Sequence, residues 1–353
     1  MTVMRVGIIG CGTVSEIHIS HLRRIDGIEI AGVCDPDRDR AQRVADRFQI
    51  RHVYQSASNM LADRRPKVVH ILTPPRSHKA LSVQAMEAGC HVLVEKPMAV
   101  SVEEADAMIA ASRSSKVTLG VCHNNLFEPA VMEAAELVAS GAIGNVITVE
   151  TFWRLWRAGS PDRFHTTEWI YELPGGIFHE VAPHSVYLHR QFLNTLQVVS
   201  AFSKKTGSDL PSPSDELRVL FEGESGLGSL SVSISAKPYL RFLKIYGTEM
   251  TIHVDLNNNT SVNLRRDGIE KFSKALVNVD QIVQLFSKTI GNTVKTLLGR
   301  RRVGHEVLIG KFYKSLFEGT KPPVTGEDGR EVVGLLERIW SELDRTSPMW
   351  RQR

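Results

Sequence analysis

The chain has 353 residues, 42% of them hydrophobic and 23% charged, with a formal charge of +4. This is the composition of an ordinary globular protein with ample apolar material for a core, and the length favours two domains over one. The small charge excess argues against nucleic-acid binding, no run of roughly eighteen apolar residues marks a membrane span, and the scattered cysteines, Cys11, Cys34, Cys90 and Cys122, form neither a disulfide framework nor a zinc knuckle.

The opening residues run straight into a buried strand, Arg5–Ile9, with no signal-peptide pattern, so a reducing, cytoplasmic setting is expected. A helix over Thr13–Ile25 follows, then a strand at Ile28–Cys34 and a charged amphipathic helix at Asp37–Phe48. Strands at Val68–Leu72, His91–Val94 and Val117–Val121 alternate with helices at Ser77–Ala88 and Val102–Ser112. Uniformly apolar strands alternating with helices over short connections predict parallel βαβ units in a sheet covered on both faces. This α/β domain covers residues 1–123.

The pattern changes over residues 124–353. A helix at Glu128–Ser140 and a strand at Val146–Phe152 lead to successive half-buried strands without helices between them: Val198–Phe202, Glu216–Glu222, Gly228–Ala236, Leu240–Tyr246 and Thr251–Asp255. This predicts an α+β domain with an open, mostly antiparallel sheet, and a ligand cleft between the two domains. The exposed face of such a sheet points to a homo-oligomer. Gln281–Leu298 reads as an amphipathic helix, with Ile282, Phe286, Ile290, Val294 and Leu297 on one face, Lys288 and Lys295 opposite, and Arg300, Arg301 and Arg302 just after it. The segment 281–302 fits packing on a neighbouring subunit, a cap over the cleft, or contact with a membrane surface. A final helix, Arg330–Leu343, is expected to pack back onto the first domain.

Gly10-Cys11-Gly12-Thr13-Val14-Ser15 stands where the first strand meets the first helix. The first glycine permits a tight turn, and the second lets the backbone approach a pyrophosphate. The helix start offers free N–H groups and the positive end of its dipole. Ser15 takes the place of the usual third small residue. Asp35, at the end of the second strand, can accept hydrogen bonds from the adenosine ribose hydroxyls, which makes the pair a Rossmann dinucleotide signature. A carboxylate there repels a 2′-phosphate and favours NAD over NADP, with Arg38 as the residue able to accommodate the phosphate.

Thr73-Pro74-Pro75, with His78 after it, and Glu95-Lys96-Pro97 each follow a strand, at the sheet edge where open α/β folds bind ligands. With His18, His123-Asn124, and Gly175-Gly176 ahead of Glu180 and His184, they resemble the glucose–fructose oxidoreductase / inositol dehydrogenase / rhizopine catabolism (Gfo/Idh/MocA) family over nearly the whole chain. The resemblance implies an NAD(P)-dependent oxidoreductase that moves a hydride between nicotinamide and a hydroxyl or carbonyl of a sugar, sugar acid or cyclitol. It implies that Lys96 and His184 line the substrate site, that Pro97 follows a cis peptide bond, and that the assembly is a dimer or tetramer. The cofactor contacts expected are Gly10, Gly12, Thr13, Val14, Asp35, Arg38, Thr73, Pro74, His78, Glu95, Lys96 and Asn124.

Glu180 and His184 are four residues apart, so they share a helix face, and the acid can orient the imidazole. Glu180 stands where the family usually has an aspartate. His184 is the candidate general base, Lys96 the group that polarises the hydroxyl, and Glu180 orients His184 or the substrate. His179 points elsewhere, and its spacing to His184 misses the two-histidine zinc motif by one residue, so no metal site is expected. His123, Trp153, Arg157 and Trp169, with Arg154, Trp156, Arg163 and His165, offer stacking faces and guanidinium groups for a sugar-like substrate; the tryptophans serve equally well as core or interface anchors. The same residues admit a redox-neutral NAD-using epimerase, lyase or glycosidase. They also admit a non-catalytic NAD(P)-binding regulator, which has no need of Lys96 and His184 together.

Overall fold

The computed structural model describes residues 3–155, 168–207, 212–265, 271–299, 302–347 and 350. It contains, in chain order, β1 (Met4–Ile9), α1 (Thr13–Leu22), β2 (Ile28–Cys34), α2 (Arg38–Phe48), β3 (Val53–Tyr54), α3 (Ala57–Arg64), β4 (Val68–Ile71), α4 (His78–Glu87), β5 (His91–Val94), α5 (Val102–Ser115) and β6 (Leu119–Val121). Then follow α6 (Pro129–Ala139), β7 (Val146–Arg154), α7 (Ile177–Leu193), β8 (Leu196–Lys204), β9 (Glu216–Gly223), β10 (Leu227–Ser233), β11 (Leu240–Gly247), β12 (Thr251–Asp255), β13 (Thr260–Leu264), α8 (Lys271–Leu297), α9 (Gly304–Glu318) and α10 (Gly326–Thr346). The chain divides into two compact units, Met1–Asn124 with His305–Gly334, and Asn125–Gly304 with Leu335–Arg353.

The first unit is built on a six-stranded sheet in the order β3-β2-β1-β4-β5-β6, with every neighbouring pair parallel. Its strands are apolar on both faces because helices cover both: Val6, Ile8, Val33, Val69, Ile71, Val92 and Val94 are fully buried. Side-chain caps fix where helices begin. Asp37 accepts the Arg40 N–H ahead of α2, and Ser101 accepts the Glu104 N–H ahead of α5. Residues 305–334 were expected in the second domain, but they complete the first unit. Val121 donates its N–H to the Val324 carbonyl, and α9 sets Phe312 against Gly120, where a Cβ would stand 2.8 Å from the ring.

The second unit carries a seven-stranded sheet in the order β13-β12-β11-β7-β10-β9-β8, antiparallel throughout except for the parallel pair β7–β10. Period-two burial follows the pleat. Leu217, Val219 and Phe221 of β9 are buried, while Arg218, Leu220 and Glu222 face outward. α7 lies against β7 and β10, so most of its circumference is buried. Gly228 of β10 admits the His189 ring of α7, since a Cβ there would come within 2.8 Å of it. α8 begins earlier than the hydrophobic pattern predicts, at Lys271, and runs 27 residues.

Candidate active site

The nucleotide loop of the first unit is built as its glycines dictate. Gly10 sits at φ +96°, and a Cβ on it would come within 2.7 Å of the Leu72 backbone, so only glycine fits. Gly12 caps α1 in an extended conformation, and a Cβ added to it would meet nothing within 4 Å. The space in front of Gly12 is therefore open to a ligand, and the first-turn amides of α1, including Thr13 and Val14, have no partner within the helix. Ser15 is fully buried and bonds the Gly12 carbonyl at 2.6 Å.

Asp35 ends β2 and is 4% exposed. Its Oδ2 accepts the Cys11 N–H at 2.9 Å and its Oδ1 the Asp37 N–H at 3.0 Å, so one carboxylate ties the glycine turn to the second βα turn. Lone pairs remain for ribose hydroxyls. The cation nearest to it is Arg40, 3.7 Å from Oδ1, whereas Arg38 is an exposed residue at the start of α2. Sequence reasoning singled out Arg38 and missed Arg40, although Arg40 lies one α-helical turn from Asp37 and contacts both acids. The loop thus fits a dinucleotide: Gly10, Gly12, Thr13 and Val14 would cradle the phosphates, and Asp35 would hold the ribose.

Glu95 corrects its predicted role. It is 7% exposed and turned into the protein rather than toward a cofactor. Its Oε1 lies 3.2 Å from His18 Nε2 and 3.7 Å from His305 Nε2, and its Oε2 accepts the Lys96 N–H at 3.1 Å. Beyond it, His18 Nδ1 meets His70 Nδ1 at 2.8 Å, and His70 Nε2 meets the Tyr313 hydroxyl at 2.9 Å. Proton accounting gives this chain one direction. The carboxylate takes His18 Nε2–H, which leaves Nδ1 to accept from His70 Nδ1–H, which leaves His70 Nε2 to accept the phenolic proton. Burial alone would raise the Glu95 carboxyl, but the hydrogen bond from His18 and the nearby His305 outweigh it and hold it well below the usual range. Burial pushes His18 and His70 down and Tyr313 up, so the histidines stay neutral and the phenol keeps the proton it donates.

Among the described residues, His18, Glu95, Cys122 and His305 form a group with metal-ligand spacing, their donor atoms within 4.8 Å of one another. The Glu95–His18–His70–Tyr313 chain runs through two members of that group, with His305 Nε2 3.7 Å from Glu95 Oε1 and Cys122 Sγ 3.9 Å from His18 Nε2. It anchors the Glu95-Lys96-Pro97 turn, whose Lys96–Pro97 peptide is cis. His78 is a second correction. It is fully buried, with Nε2 2.7 Å from the Thr73 carbonyl and Nδ1 3.0 Å from the Pro97 carbonyl, so it joins the Thr73-Pro74 and Lys96-Pro97 turns and has no face left for a cofactor. His123 is 2% and Asn124 7% exposed, which removes His123 as a broad substrate surface.

In the second unit, Gly176 opens α7 at φ +51°, and Gly175 faces Trp340, whose ring would lie 2.3 Å from a Cβ. The close approach that a glycine permits is, at Gly175, given to Trp340. Trp340 Nε1 donates to His179 Nδ1 at 3.1 Å, and His179 is 1% exposed, the structural role its position implies. Along α7 the partly exposed residues of the first three turns are Glu180 and His184, one turn apart on a helix otherwise buried there.

His184 is held on two sides. Its Nδ1 is 2.7 Å from the Tyr187 hydroxyl, and its ring stacks on Trp153 with centroids 5.5 Å apart and planes at 26°. Tyr187 is 2% exposed, and its oxygen accepts the Asn125 N–H at 3.1 Å. The partner at Nδ1 is therefore Tyr187, where sequence reasoning named Glu180. The i, i+3 spacing of His184 and Tyr187 was the signal available. Trp153, offered by the sequence as a sugar-stacking face or a core anchor, is 2% exposed and serves as the platform beneath His184. Trp169 is half-buried in a short turn, Glu168–Ile170. Arg157, with Trp156, Arg163 and His165, lies outside the described residues.

A parallel sheet with a glycine turn against α1 and a carboxylate ending β2 is the nucleotide-binding half of a nicotinamide-dependent oxidoreductase, and the α7 histidine stands on the mixed-sheet unit that accompanies it. Residues 4–123 match the model of an oxidoreductase family with an NAD-binding Rossmann fold, and residues 131–253 match the GFO/IDH/MocA C-terminal domain. The chain belongs to this family. It is 28% identical to a D-apiose dehydrogenase of Paraburkholderia graminis over 74% of this chain and 70% of that protein. It is 24% identical to a myo-inositol 2-dehydrogenase of Thermotoga maritima over 94% of each. The WlbA dehydrogenase of Bordetella pertussis, solved with NADH and UDP-GlcNAcA, shares the fold with a TM-score of 0.81 at 21% identity, covering 98% of this chain and 96% of that one. The protein is an NAD-binding oxidoreductase.

Proposed function

We propose that the protein oxidises a secondary hydroxyl of a sugar, sugar acid or cyclitol, or reduces the matching ketone, with His184 as the proton acceptor and donor. The observation that carries this is the setting of His184: partly exposed with Glu180 on the otherwise buried first three turns of α7, backed by Trp153 and fixed at Nδ1 by Tyr187. A bound nicotinamide supplies a two-electron hydride acceptor. The chain's own residues handle the proton. The Asn125 N–H occupies one lone pair of the Tyr187 oxygen, and the other can take His184 Nδ1–H. In that tautomer Nε2 carries the lone pair that accepts the hydroxyl proton as the hydride departs. The family resemblance assigns Lys96 the role of polarising the substrate hydroxyl, and Glu180, one turn from His184 on α7, binds the substrate's other hydroxyls. The relatives named for apiose and inositol support a polyhydroxylated substrate. Asp35 supports NAD over NADP. Outward Val199, Phe202 and Leu220 on the seven-stranded sheet, each more than half exposed, support a homo-oligomer.

The test is direct. Titration with NADH and NADPH should show tighter NADH binding, and a screen of polyols, aldoses, sugar acids and cyclitols with NAD should show reduction of the nucleotide. His184→Ala should lower turnover about 10²- to 10⁴-fold with nucleotide affinity intact. Full turnover in both Lys96→Met and His184→Ala would refute the assignment.

A further inference from the structure

α8 is attached the wrong way round for an ordinary surface helix. Its polar residues at one-turn intervals face the protein. Gln284 accepts the Asn263 N–H at 2.9 Å and donates to the Asn263 carbonyl at 3.0 Å, so a side-chain amide pairs with the free edge of β13. One turn on, Lys288 bonds Glu133 of α6 and Ser261 of β13. A further turn on, Asn292 donates to the carbonyls of Asn259 at 2.8 Å and Asn258 at 3.1 Å. These bonds account for what faces inward and leave the apolar face outward. Val279, Ile282, Phe286, Ile290, Val294 and Leu297 are between 47% and 81% exposed. With Leu276, Val283, Leu285 and Leu298, also about half exposed or more, they cover roughly half the helix circumference at 3.6 residues per turn. From Leu276 to Leu298 they form a strip about 33 Å long. A continuous apolar strip of that size is well beyond the scattered exposed residues of a soluble surface.

Charge selects the occupant. Residues 271–302 contain seven cations, Lys271, Lys274, Lys288, Lys295, Arg300, Arg301 and Arg302, against one acid, Asp280. A second copy would bring the same cationic segment against this one. The flanking positions of a two-helix seam also lack complementary charges and are apolar at Ile282 and Val294. The face is wider than a coiled-coil seam and fits a flat apolar phase bordered by negative charge. No helix among the described residues is long and apolar enough to cross a membrane. We propose that α8 lies along an anionic lipid surface, its apolar face in the acyl boundary and the exposed Lys274 and Arg302 among the headgroups, so that the enzyme works docked on a membrane.

The experiment is flotation of the full-length protein, with NAD present, on phosphatidylcholine vesicles with and without phosphatidylglycerol. The expected result is co-flotation with the anionic vesicles, weakened as salt is raised. Ile282→Glu with Phe286→Glu should reduce the bound fraction at least tenfold, while NADH affinity and melting temperature match the parent because both side chains are exposed. Absence of co-flotation, or equal binding to both vesicle types, overturns the proposal. So does a change in light-scattering mass showing that the double substitution splits a dimer, which would make a second copy the occupant. NADH affinity separates this outcome from failure of the dehydrogenase reading.

Discussion

Removing a single oxygen tests the core of the proton-transfer argument. Tyr187→Phe keeps the buried ring that α7 carries and deletes the hydroxyl that lies 2.7 Å from His184 Nδ1 and accepts the Asn125 N–H. Two consequences follow, on different observables. The first is stability: an amide facing a buried side chain loses its acceptor, at a cost of about 1–3 kcal/mol. For a unit of this size that is a fall in Tm of about 2–12 °C. The second is rate. In the tautomer with Nδ1–H the hydroxyl oxygen accepts that proton, and the contact holds the ring in one rotation. A hydrogen bond of about 0.5–1.5 kcal/mol corresponds to a factor of about 2–12 in kcat. Neither effect reaches the nucleotide loop, so the KM for NAD should stay at the parent value. Steady-state kinetics with saturating NAD, beside a thermal melt, measures both. A variant with lowered Tm and parental kcat would show that Tyr187 is only a structural anchor and that His184 needs no partner at Nδ1. Parental values of both would refute the hydrogen-bond assignment itself.

The two glycines of the nucleotide loop should separate folding from binding. Gly10→Ala forces a side chain into φ +96° and onto the Leu72 backbone, and should cost about 1–3 kcal/mol in a denaturant melt. Gly12→Ala meets nothing within 4 Å, so stability should change by less than about 0.5 kcal/mol while calorimetric NADH affinity falls about tenfold or more; unchanged affinity would mean that the phosphates lie elsewhere. Stability should also fall with acid before the carboxylates titrate. Burial, helped by the Arg24 charge, lowers His21 from 6.5 to about 4, and burial lowers His18, His70 and His78 in the same direction. Between those values the unfolded chain binds protons that the native chain refuses, so stability rises with pH across the window and is lost as pH drops from 6.5 toward 4. A Tm that is flat over that interval would contradict the neutral, buried state of these histidines.

Motif and periodicity identified positions better than directions. The glycine turn, Asp35 and the strand–helix alternation were legible because each rests on local chemistry: a positive φ, a carboxylate just after a strand, an unbroken apolar run. β3, only two residues long, and α3 carried too little pattern to be read. α9 was missed because its place depends on Phe312 meeting Gly120, a pairing between distant segments. Glu95 and Trp153 were found by type and position, yet both turn inward, Glu95 to His18 and Trp153 beneath His184.

α8 shows the same gap most sharply. The spacing of Ile282, Phe286 and Ile290 places them on one face, and the usual rule turns such a face toward the core. That rule assumes the neighbouring surface is apolar. Here the neighbour is the edge of β13, where the Asn263 N–H and carbonyl have no further strand to pair with, beside Glu133. An unpaired strand edge prefers donors and acceptors to methyl groups, because buried backbone polar groups left unsatisfied cost about as much as the apolar contact would gain. Gln284, Lys288 and Asn292 meet that demand, and the apolar face is left outside. The orientation is set by the polarity of the partner surface, which helical periodicity does not encode. A change at Gln284 that removes its amide should therefore loosen α8 from β13 rather than rotate it, because nothing apolar on β13 waits to receive Phe286.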